Sequence, residues 1–456
     1  MKPPARNKVL LGAFRLGQVS DAMQTRFSMG IAKLFISTHL LICLLGLLGS
    51  VSWAGDDNAT GSGMVLNAAQ TPALFPKELT GNWGGLRAQL LERGVSLGLE
   101  STHFYQGSVS GDRNQDFDWG GRVDAFLNLD AAKLGLWEGG GIRTHGELKY
   151  GQLLANRGGA FLPGNTGMML PVADLEEFVF SSIYLTQQFG DKATLMLGKI
   201  NAVDLLAGDA FLGGWGNTRF MNLAFAAPLT GITPPVLMGA ILSVRTDPFT
   251  FTFMVYDTED RTLDYLPGDL FGKGVSFQLG AKWNGSVLGR RTSLGLSGTY
   301  STKDGVNLSE VLLPSDLQTT TQKGSFNVAL DASHYLYEES GGAGRGVGLF
   351  FKGAIADGNP NPVQRSVVMG ILANGMVPGR ERDTVGLGYY YYDFSDKLQS
   401  AVAPLIKIDD EQGFEIFYRM EVTPWCSVSA DLQIVNPATA SRDSFVALGL
   451  RTNIRF

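Results

Sequence analysis

Cysteine and long apolar segments are both scarce in this chain of 456 residues. Of its two cysteines, Cys43 lies in a predicted export signal, so only Cys426 would remain after processing and no internal disulfide could form. The one stretch that resembles a membrane helix, residues 40–48, is too short, because a helix needs about 20 apolar residues to span a bilayer. These shortages exclude a small domain held together by disulfides and a bundle of membrane helices.

Charge and histidine are also sparse. The net charge is −6, and no basic patch is dense enough to bind nucleic acid. Beyond the predicted signal the histidines are His103, His145 and His334, and no HExxH or GxGxxG motif accompanies them. We therefore expect no enzymatic activity, no metal, no cofactor and no nucleic-acid partner.

Residues 1–54 have the pattern of an export signal. Lys33 precedes the apolar run, and a small-x-small cleavage site that ends at Ala54 follows it. We expect cleavage after Ala54. A translation start at Met23 or Met29 is the alternative, because it would give a signal of more ordinary length.

The last thirteen residues, 444–456, alternate in polarity. Leu450 and Phe456 belong to an apolar parity, whereas Arg451 and Arg455 belong to a polar one, and this period of two is typical of a strand. In a soluble sheet such a terminal strand would leave a sticky edge. A closed barrel in a membrane removes that edge, because the last strand pairs with the first while lipid covers the apolar face.

The same alternation recurs in about sixteen segments along the chain, and their connections alternate between short turns and long loops, as in outer-membrane barrels. Before the first segment, Leu86, Leu90 and Leu91 recur at helical spacing. The sequence thus predicts an all-β fold, a transmembrane antiparallel β-barrel over residues 95–456, with one or more extracellular loops folded inward. A periplasmic segment with a short helix is predicted for residues 55–94.

The loop at residues 201–236 is too apolar and aromatic to remain in water. Its Phe211, Trp215, Phe220 and Phe225 need to be buried, and the barrel interior is the nearest surface. We expect this loop to fold inward and narrow the channel. The alternative is that it packs on the rim or against a neighbouring subunit.

Several segments carry a family resemblance. They are residues 81–95 (GNWGGLRAQLLERGV), 189–204 (FGDKATLMLGKINAVD), 217–222 (NTRFMN), 414–437 (FEIFYRMEVTPWCSVSADLQIVNP) and the terminal GLRTNIRF. Together they resemble the carbohydrate-selective porin (OprB) family. The resemblance implies a sixteen-stranded barrel in the outer membrane of a Gram-negative bacterium, through which mono- or oligosaccharides reach the periplasm by facilitated diffusion. Sugar solutes and outer-membrane lipid are then the partners, a homo-oligomer stays open, and Phe456 is expected to be the assembly signal.

A sugar channel needs hydrogen-bonding groups for the hydroxyls and flat rings for the apolar sugar face. The inward parity of the second and third strands is dense in charge and could supply a ladder of polar side chains about 7 Å apart. The loop could add an indole and a guanidinium. The predicted pore-lining and sugar-contact residues are Arg122, Asp124, Arg143, His145, Glu147, Lys149, Trp215 and Arg219.

Two other functions remain open at this stage. A general or weakly anion-selective porin for small polar solutes would differ in the balance of charge at the constriction, whereas a structural or adhesive barrel would have a plugged lumen. Inward arginine and lysine are matched by aspartate and glutamate in this interpretation, which favours a neutral polar solute.

Overall fold

The computed structural model describes residues 76–111, 115–152, 157–226, 233–313, 317–318, 320–339 and 345–456. The predicted signal at 1–54 and residues 55–75 of the predicted periplasmic segment lie outside the described residues.

Sixteen antiparallel strands form within these residues. The first eight are β1 (Val95–Ser110), β2 (Phe117–Asp130), β3 (Gly140–Gly151), β4 (Phe178–Phe189), β5 (Ala193–Asn201), β6 (Val236–Thr246), β7 (Phe249–Asp257) and β8 (Val275–Val287). The others are β9 (Arg290–Val306), β10 (Thr321–Glu338), β11 (Gly346–Ala356), β12 (Val363–Asn374), β13 (Thr384–Phe394), β14 (Glu411–Thr423), β15 (Cys426–Asn436) and β16 (Phe445–Arg455). Each predicted segment coincides with one of these strands.

The strands close into a barrel because β1 pairs with β16, with Glu100 opposite Arg455 at one end of the seam. The alternation predicted for the last strand is confirmed. Leu450 is 55% exposed on the outer surface, whereas its neighbour Arg451 is 1% exposed and points inward. An apolar outer row and a polar inner row recur around the ring, which is the pattern that lets a closed sheet sit in lipid.

The helices are short: α1 (Leu86–Glu92), α2 (Thr166–Met169), α3 (Ala202–Leu206), α4 (Leu223–Ala226) and α5 (Asp396–Val402), with 3₁₀ turns at Trp83–Gly85, Arg157–Gly159 and Leu308–Glu310. In the described part of the chain no helix has both the length and the apolar character needed to cross a bilayer. The helix predicted before the first strand is confirmed as α1.

A glycine lets α1 lead directly into β1. Gly94 has a φ of +86°, and a Cβ there would lie 2.7 Å from the Cβ of Lys133 and 2.9 Å from the carbonyl oxygen of Asp130. Only glycine fits such a left-handed, crowded position. The residues before α1 are also tied to the seam between β1 and β16, because the Leu79 N–H donates to the carbonyl oxygen of Arg455 at 2.8 Å.

Loop lengths differ between the two ends of the barrel, as expected. Two-residue turns join β6 to β7 and β8 to β9, whereas long loops follow β3, β5 and β7 at the opposite end. Two pairs depart from the pattern, since the turns at residues 131–139 and 375–383 are longer than the loops at 111–116 and 357–362 that precede them. Most of the hydrophobic core lies inside the lumen, where the inserted loops meet the inner wall.

Candidate functional site

The loop after β5, here called loop 3 (residues 202–235, described except for 227–232), crosses the lumen. It leaves β5 through α3, where an Asp204 carboxylate oxygen lies 2.8 Å from Nδ1 of His145 on β3. It then reaches β11, where the ring of Phe211 lies 6.0 Å from that of Phe350. Since β3 and β11 stand opposite each other in the ring of strands, the loop spans the barrel. The expected inward fold is confirmed.

An aromatic cluster holds the middle of loop 3 against the wall. Phe220 stacks on Phe225 with ring centroids 4.5 Å apart, and its ring meets Phe417 of β14 edge-on at 4.9 Å. Phe350 and Tyr390 complete the surroundings, and all five side chains are buried. The cluster fills the lumen on the side of β11 to β14, so any passage must lie elsewhere.

Two inward charges bind the backbone of the same loop. The Glu415 carboxylate accepts hydrogen bonds from the Met221 and Asn222 amides, the second at 2.9 Å. The Arg451 guanidinium donates to the carbonyl oxygens of Gly216 and Arg219, the second at 2.7 Å. A loop buried in a barrel needs such partners, because its backbone groups have no water to bind.

The loop after β3, here called loop 2 (residues 152–177, described except for 153–156), also folds inward. Glu411 of β14 accepts a hydrogen bond from the Leu162 amide at 3.0 Å. The Thr166 amide donates to the carbonyl oxygen of Met221 at 2.8 Å, so loop 2 also braces loop 3. Both inserted loops are therefore anchored on the inner wall and brace each other.

Beneath these loops lies a buried charge cluster made of Arg122, Asp124, His145 and Glu147. Arg122 donates to both carboxylates, with Nε 3.0 Å from Oδ2 of Asp124. His145 places Nε2 3.0 Å from Asp124, and Nδ2 of the Asn201 side chain donates to Glu147 at 3.2 Å. All four residues of the cluster are at most 2% exposed. Every charge has a partner, as burial requires.

Trp215 connects loop 3 to this cluster. Its indole Nε1 donates to Asp204 at 2.7 Å, and its ring meets His145 edge-on with centroids 5.8 Å apart. Its φ is +54°, and the flanking Gly214 and Gly216 also have positive φ. A bulky side chain in the left-handed region is strained, and such strain persists where the surroundings fix the conformation. The partly exposed indole is therefore held in one orientation.

The eight predicted pore residues occupy three environments. Arg122, Asp124, His145 and Glu147 form the buried cluster, and Lys149 donates from Nζ to the carbonyl oxygen of Pro171 in loop 2 at 2.6 Å. The strand periodicity thus places all five on one face, but loops 2 and 3 cover them.

The other three candidates are not covered in this way. Arg143 is near the opposite end of β3, where Nη1 donates to the carbonyl oxygen of Leu129 at 3.1 Å. Trp215 and Arg219 lie on loop 3 and are partly exposed. Contact of any candidate with a permeating sugar stays a prediction.

Across from loop 3, Lys282, Asp331 and Lys352 lie in one inward row over β8, β10 and β11, here called the charge row. Lys282 and Asp331 reach each other over Gly295 of β9, with Nζ to Oδ2 at 3.4 Å. A Cβ at Gly295 would lie 2.1 Å from the Asp331 carboxylate, so glycine makes this pairing possible. Loop 3 adds Asp209, whose carboxylate lies 3.9 Å from Nζ of Lys352.

The charge row faces open space, unlike the buried cluster. The side chains of Lys282 and Asp331 are 44% and 37% exposed, and those of Lys352 and Asp209 are 21% and 23% exposed. Two cations therefore stand beside two anions on a wetted wall.

The surroundings of loop 3 shift the pKa values of its charged side chains. Burial would raise the pKa of Asp204, but the charge of His145 and hydrogen bonds from His145 and Trp215 lower it below its ordinary value. Burial likewise opposes ionisation of Asp209, while Lys352 and two backbone amides hold its pKa below the ordinary value. Burial lowers the pKa of Arg219, although Asp209 opposes this. Both carboxylates therefore remain charged at neutral pH.

Sequence reasoning did not single out the two lysines of the charge row or the aspartates of loop 3. Lys282 and Lys352 fall on the inward parity of predicted strands, so the strand pattern contained a signal for them. Asp204 and Asp209 lie in a loop without periodicity, and only the folded structure brings them to His145 and Lys352.

Two local arrangements could be mistaken for catalytic sites. Asp124, His145 and Glu147 bring possible metal ligands within 4.8 Å of one another, but the Arg122 guanidinium already binds both carboxylates. The Gly-x-Ser-x-Gly sequence at residues 94–98 lies at the start of β1, whereas a nucleophile elbow requires a turn from strand to helix. Neither arrangement supports a catalytic role.

Comparison with known proteins gives consistent matches. A model of the family described as carbohydrate-selective porin, OprB family, matches residues 114–456. Porin B of Pseudomonas aeruginosa is 24% identical over 423 residues, which cover 83% of this chain and 90% of that protein. A high-pH structure of Pseudomonas putida OprB superposes with a TM-score of 0.72 at 19% identity, covering 84% of this chain and 99% of that one. Its low-pH structure gives 0.54 at 17% identity, covering 83% and 98%.

Proposed function

Because the chain belongs to the carbohydrate-selective porin (OprB) family, we propose that it conducts neutral sugars through a passage between loop 3 and the charge row. As a member of that family it is a sugar-conducting channel in the outer membrane of a Gram-negative bacterium. Family membership alone does not specify the route of the sugar through the lumen or how the channel selects its solute. It includes no catalytic step.

The observation that carries the proposal is the crossing of the lumen by loop 3. Its aromatic cluster fills the lumen beside β11 to β14 and the buried charge cluster lies against β2 and β3, while Lys282 and Asp331 remain wetted on β8 and β10. Solute is therefore directed along the wall of β8 to β10.

Charge balance favours a neutral solute in this passage. Lys282 and Lys352 are matched by Asp331 and Asp209, so in each pair an ion of either sign meets one attractive and one repulsive partner. The same groups can exchange hydrogen bonds with sugar hydroxyls. Such contacts are individually weak in water, and a solute must bind weakly in order to leave.

The predicted residues then divide into two roles. Trp215 and Arg219 are the groups best placed to contact sugar, since they are partly exposed on loop 3. The buried charge cluster positions the loop through Asp204, and Lys149 positions loop 2. We expect Arg143 to act on solute only near the opposite end of β3.

A second candidate function is weak anion selectivity. The Arg219 and Arg143 guanidinium groups each donate a hydrogen bond to a backbone carbonyl oxygen, which does not neutralise their positive charge. This surplus positive charge can attract an anionic solute. A porin that uses this surplus would prefer small anions over neutral sugars.

The Asp331→Asn variant separates the two functions. Removing one charge about 7 Å from a passing ion changes its energy by about 0.6 kcal/mol in water, or roughly threefold in occupancy. Reversal potentials in planar bilayers should therefore shift toward anions from a nearly unselective wild type. Asp247→Asn is the matched control, because Asp247 lies exposed in the turn between β6 and β7. A wild type already selective for anions would favour the second function.

We further propose that outer-membrane lipid surrounds the outward apolar rows.

A further inference from the structure

The loop after β7, here called loop 4 (residues 258–274), lies over the outer surface of the barrel. Its Arg261 amide donates to the carbonyl oxygen of Val236 on β6 at 2.9 Å. Further along, the Tyr265 hydroxyl accepts a hydrogen bond from the Phe180 amide on β4 at 3.4 Å. The loop thus runs from β7 over three neighbouring strands, a distance of about 14 Å.

Beneath loop 4 is a lysine in a lipid-facing row. Lys199 of β5 pairs with Ile183 and Met238 on the outward parity, yet it is only 3% exposed. Its Nζ donates to the carbonyl oxygen of Thr262 at 2.6 Å and lies 4.4 Å from the ring centroid of Tyr265. A bare ammonium group facing lipid is costly, so the loop supplies the partners that this lysine requires.

The ion pairs of loop 4 centre on Arg261. Arg261 is buried and pairs with Asp257 at 2.9 Å, with Asp264 at 3.0 Å and with Asp269 at 3.0 Å. These contacts close the loop on itself, so its shape does not depend on a partner.

Its outer side is apolar. The exposed large hydrophobic side chains are Leu263, Tyr265, Leu266, Leu270 and Phe271, and Leu266 is 96% exposed. Just beside them on β4 and β5, Phe178, Phe180 and Leu197 are exposed in the lipid-facing rows. The apolar side of loop 4 is therefore continuous with the lipid-facing belt of the barrel.

We propose that loop 4 is a membrane-anchoring flange, whose apolar side inserts into the acyl chains of the outer leaflet while its polar side covers Lys199. Tyrosine and phenylalanine at the boundary of a membrane barrel favour this position, because their rings suit the layer between acyl chains and water. This contact of loop 4 with lipid is independent of the route that sugar takes through the lumen. A second copy of the chain is the competing occupant.

Spin labelling distinguishes the occupants. A nitroxide is attached to Leu266→Cys in a Cys426→Ser background, and the protein is reconstituted in vesicles of phosphatidylcholine and phosphatidylglycerol. Collision with oxygen, which concentrates in lipid, is compared with collision with a water-soluble nickel chelate. Leu279→Cys on the lipid face of β8 and Leu405→Cys in the loop between β13 and β14 provide the lipid and water references, since both residues are exposed.

The proposal predicts that the label at position 266 matches the lipid reference, with oxygen favoured several-fold over the nickel chelate. A label that matches the water reference overturns it. A label shielded from both reagents, with dipolar broadening between labels, also overturns it in favour of a second copy. If Leu266→Cys does not give a heat-modifiable barrel, Leu263→Cys tests the same surface.

Discussion

Replacing Phe220 by alanine should release loop 3 from the inner wall and widen the passage. Phe220 is 1% exposed and contacts the rings of Phe225, Phe417 and Phe350 at 4.5, 4.9 and 5.5 Å. Truncation of a buried phenylalanine costs about 3–5 kcal/mol. About 1.4 kcal/mol corresponds to a factor of ten in an equilibrium constant. The ratio of docked to undocked loop should therefore fall by a factor of about 100 to several thousand.

Single-channel recordings in planar bilayers measure this change. The Phe220→Ala channel should show a larger conductance, more switching between levels and weaker block by added sugar, because the loop no longer stays across the lumen. Phe253→Ala is the matched control, since Phe253 lies exposed on the lipid face of β7. A folded Phe220→Ala barrel with wild-type conductance and sugar block would refute the role of loop 3 as the constriction.

Asp204→Asn should increase current noise from loop 3 without unfolding the barrel. The reason is that the hydrogen bonds from His145 and Trp215 to the charged carboxylate of Asp204 contribute about 1.5–3 kcal/mol each. Single-channel recordings as quiet as those of wild type would contradict this. Hydrogen bonds from Lys273 and Lys303 lower the pKa of Glu259 from 4.5 to about 2. The charged form therefore favours the folded loop 4 above pH 4.5, and this contribution is lost as pH falls toward about 2. Protection of loop 4 amides from hydrogen exchange should be equal at pH 7 and pH 5.5 and fall below pH 4.5, less steeply in Glu259→Gln. Deleting Phe456, whose amide donates to the carbonyl oxygen of Leu99 at the closing seam, should reduce the heat-modifiable barrel in the outer membrane, whereas Leu405→Ser should not.

The barrel was predictable because each strand carries its own signal. Leu450 and Arg451 are neighbours in sequence and face lipid and lumen respectively, so a period of two fixes both the strand and its orientation. Closure follows from the same pattern, since an apolar terminal strand needs a partner. The inward fold of loop 3 was predictable for a related reason, because its phenylalanines need burial.

The exposure of the inward residues was not predictable. Parity places Arg122 and Lys282 on the same inner surface, but loops 2 and 3 bury the first and leave the second wetted. Which residue a loop covers depends on contacts between distant segments, such as Asp204 with His145. The outward course of loop 4 had no sequence signal for the same reason. Cleavage after Ala54 stays a prediction that sequencing of the mature N terminus would test.

Liposome swelling with three solutes of similar size tests the central claim most directly. Glucose is neutral, gluconate is an anion and glucosamine is a cation at neutral pH. The account predicts that glucose enters fastest and that both ions are slower, because the charge row together with Asp209 of loop 3 carries balanced cations and anions in the passage. Gluconate entry as fast as or faster than glucose entry would contradict it.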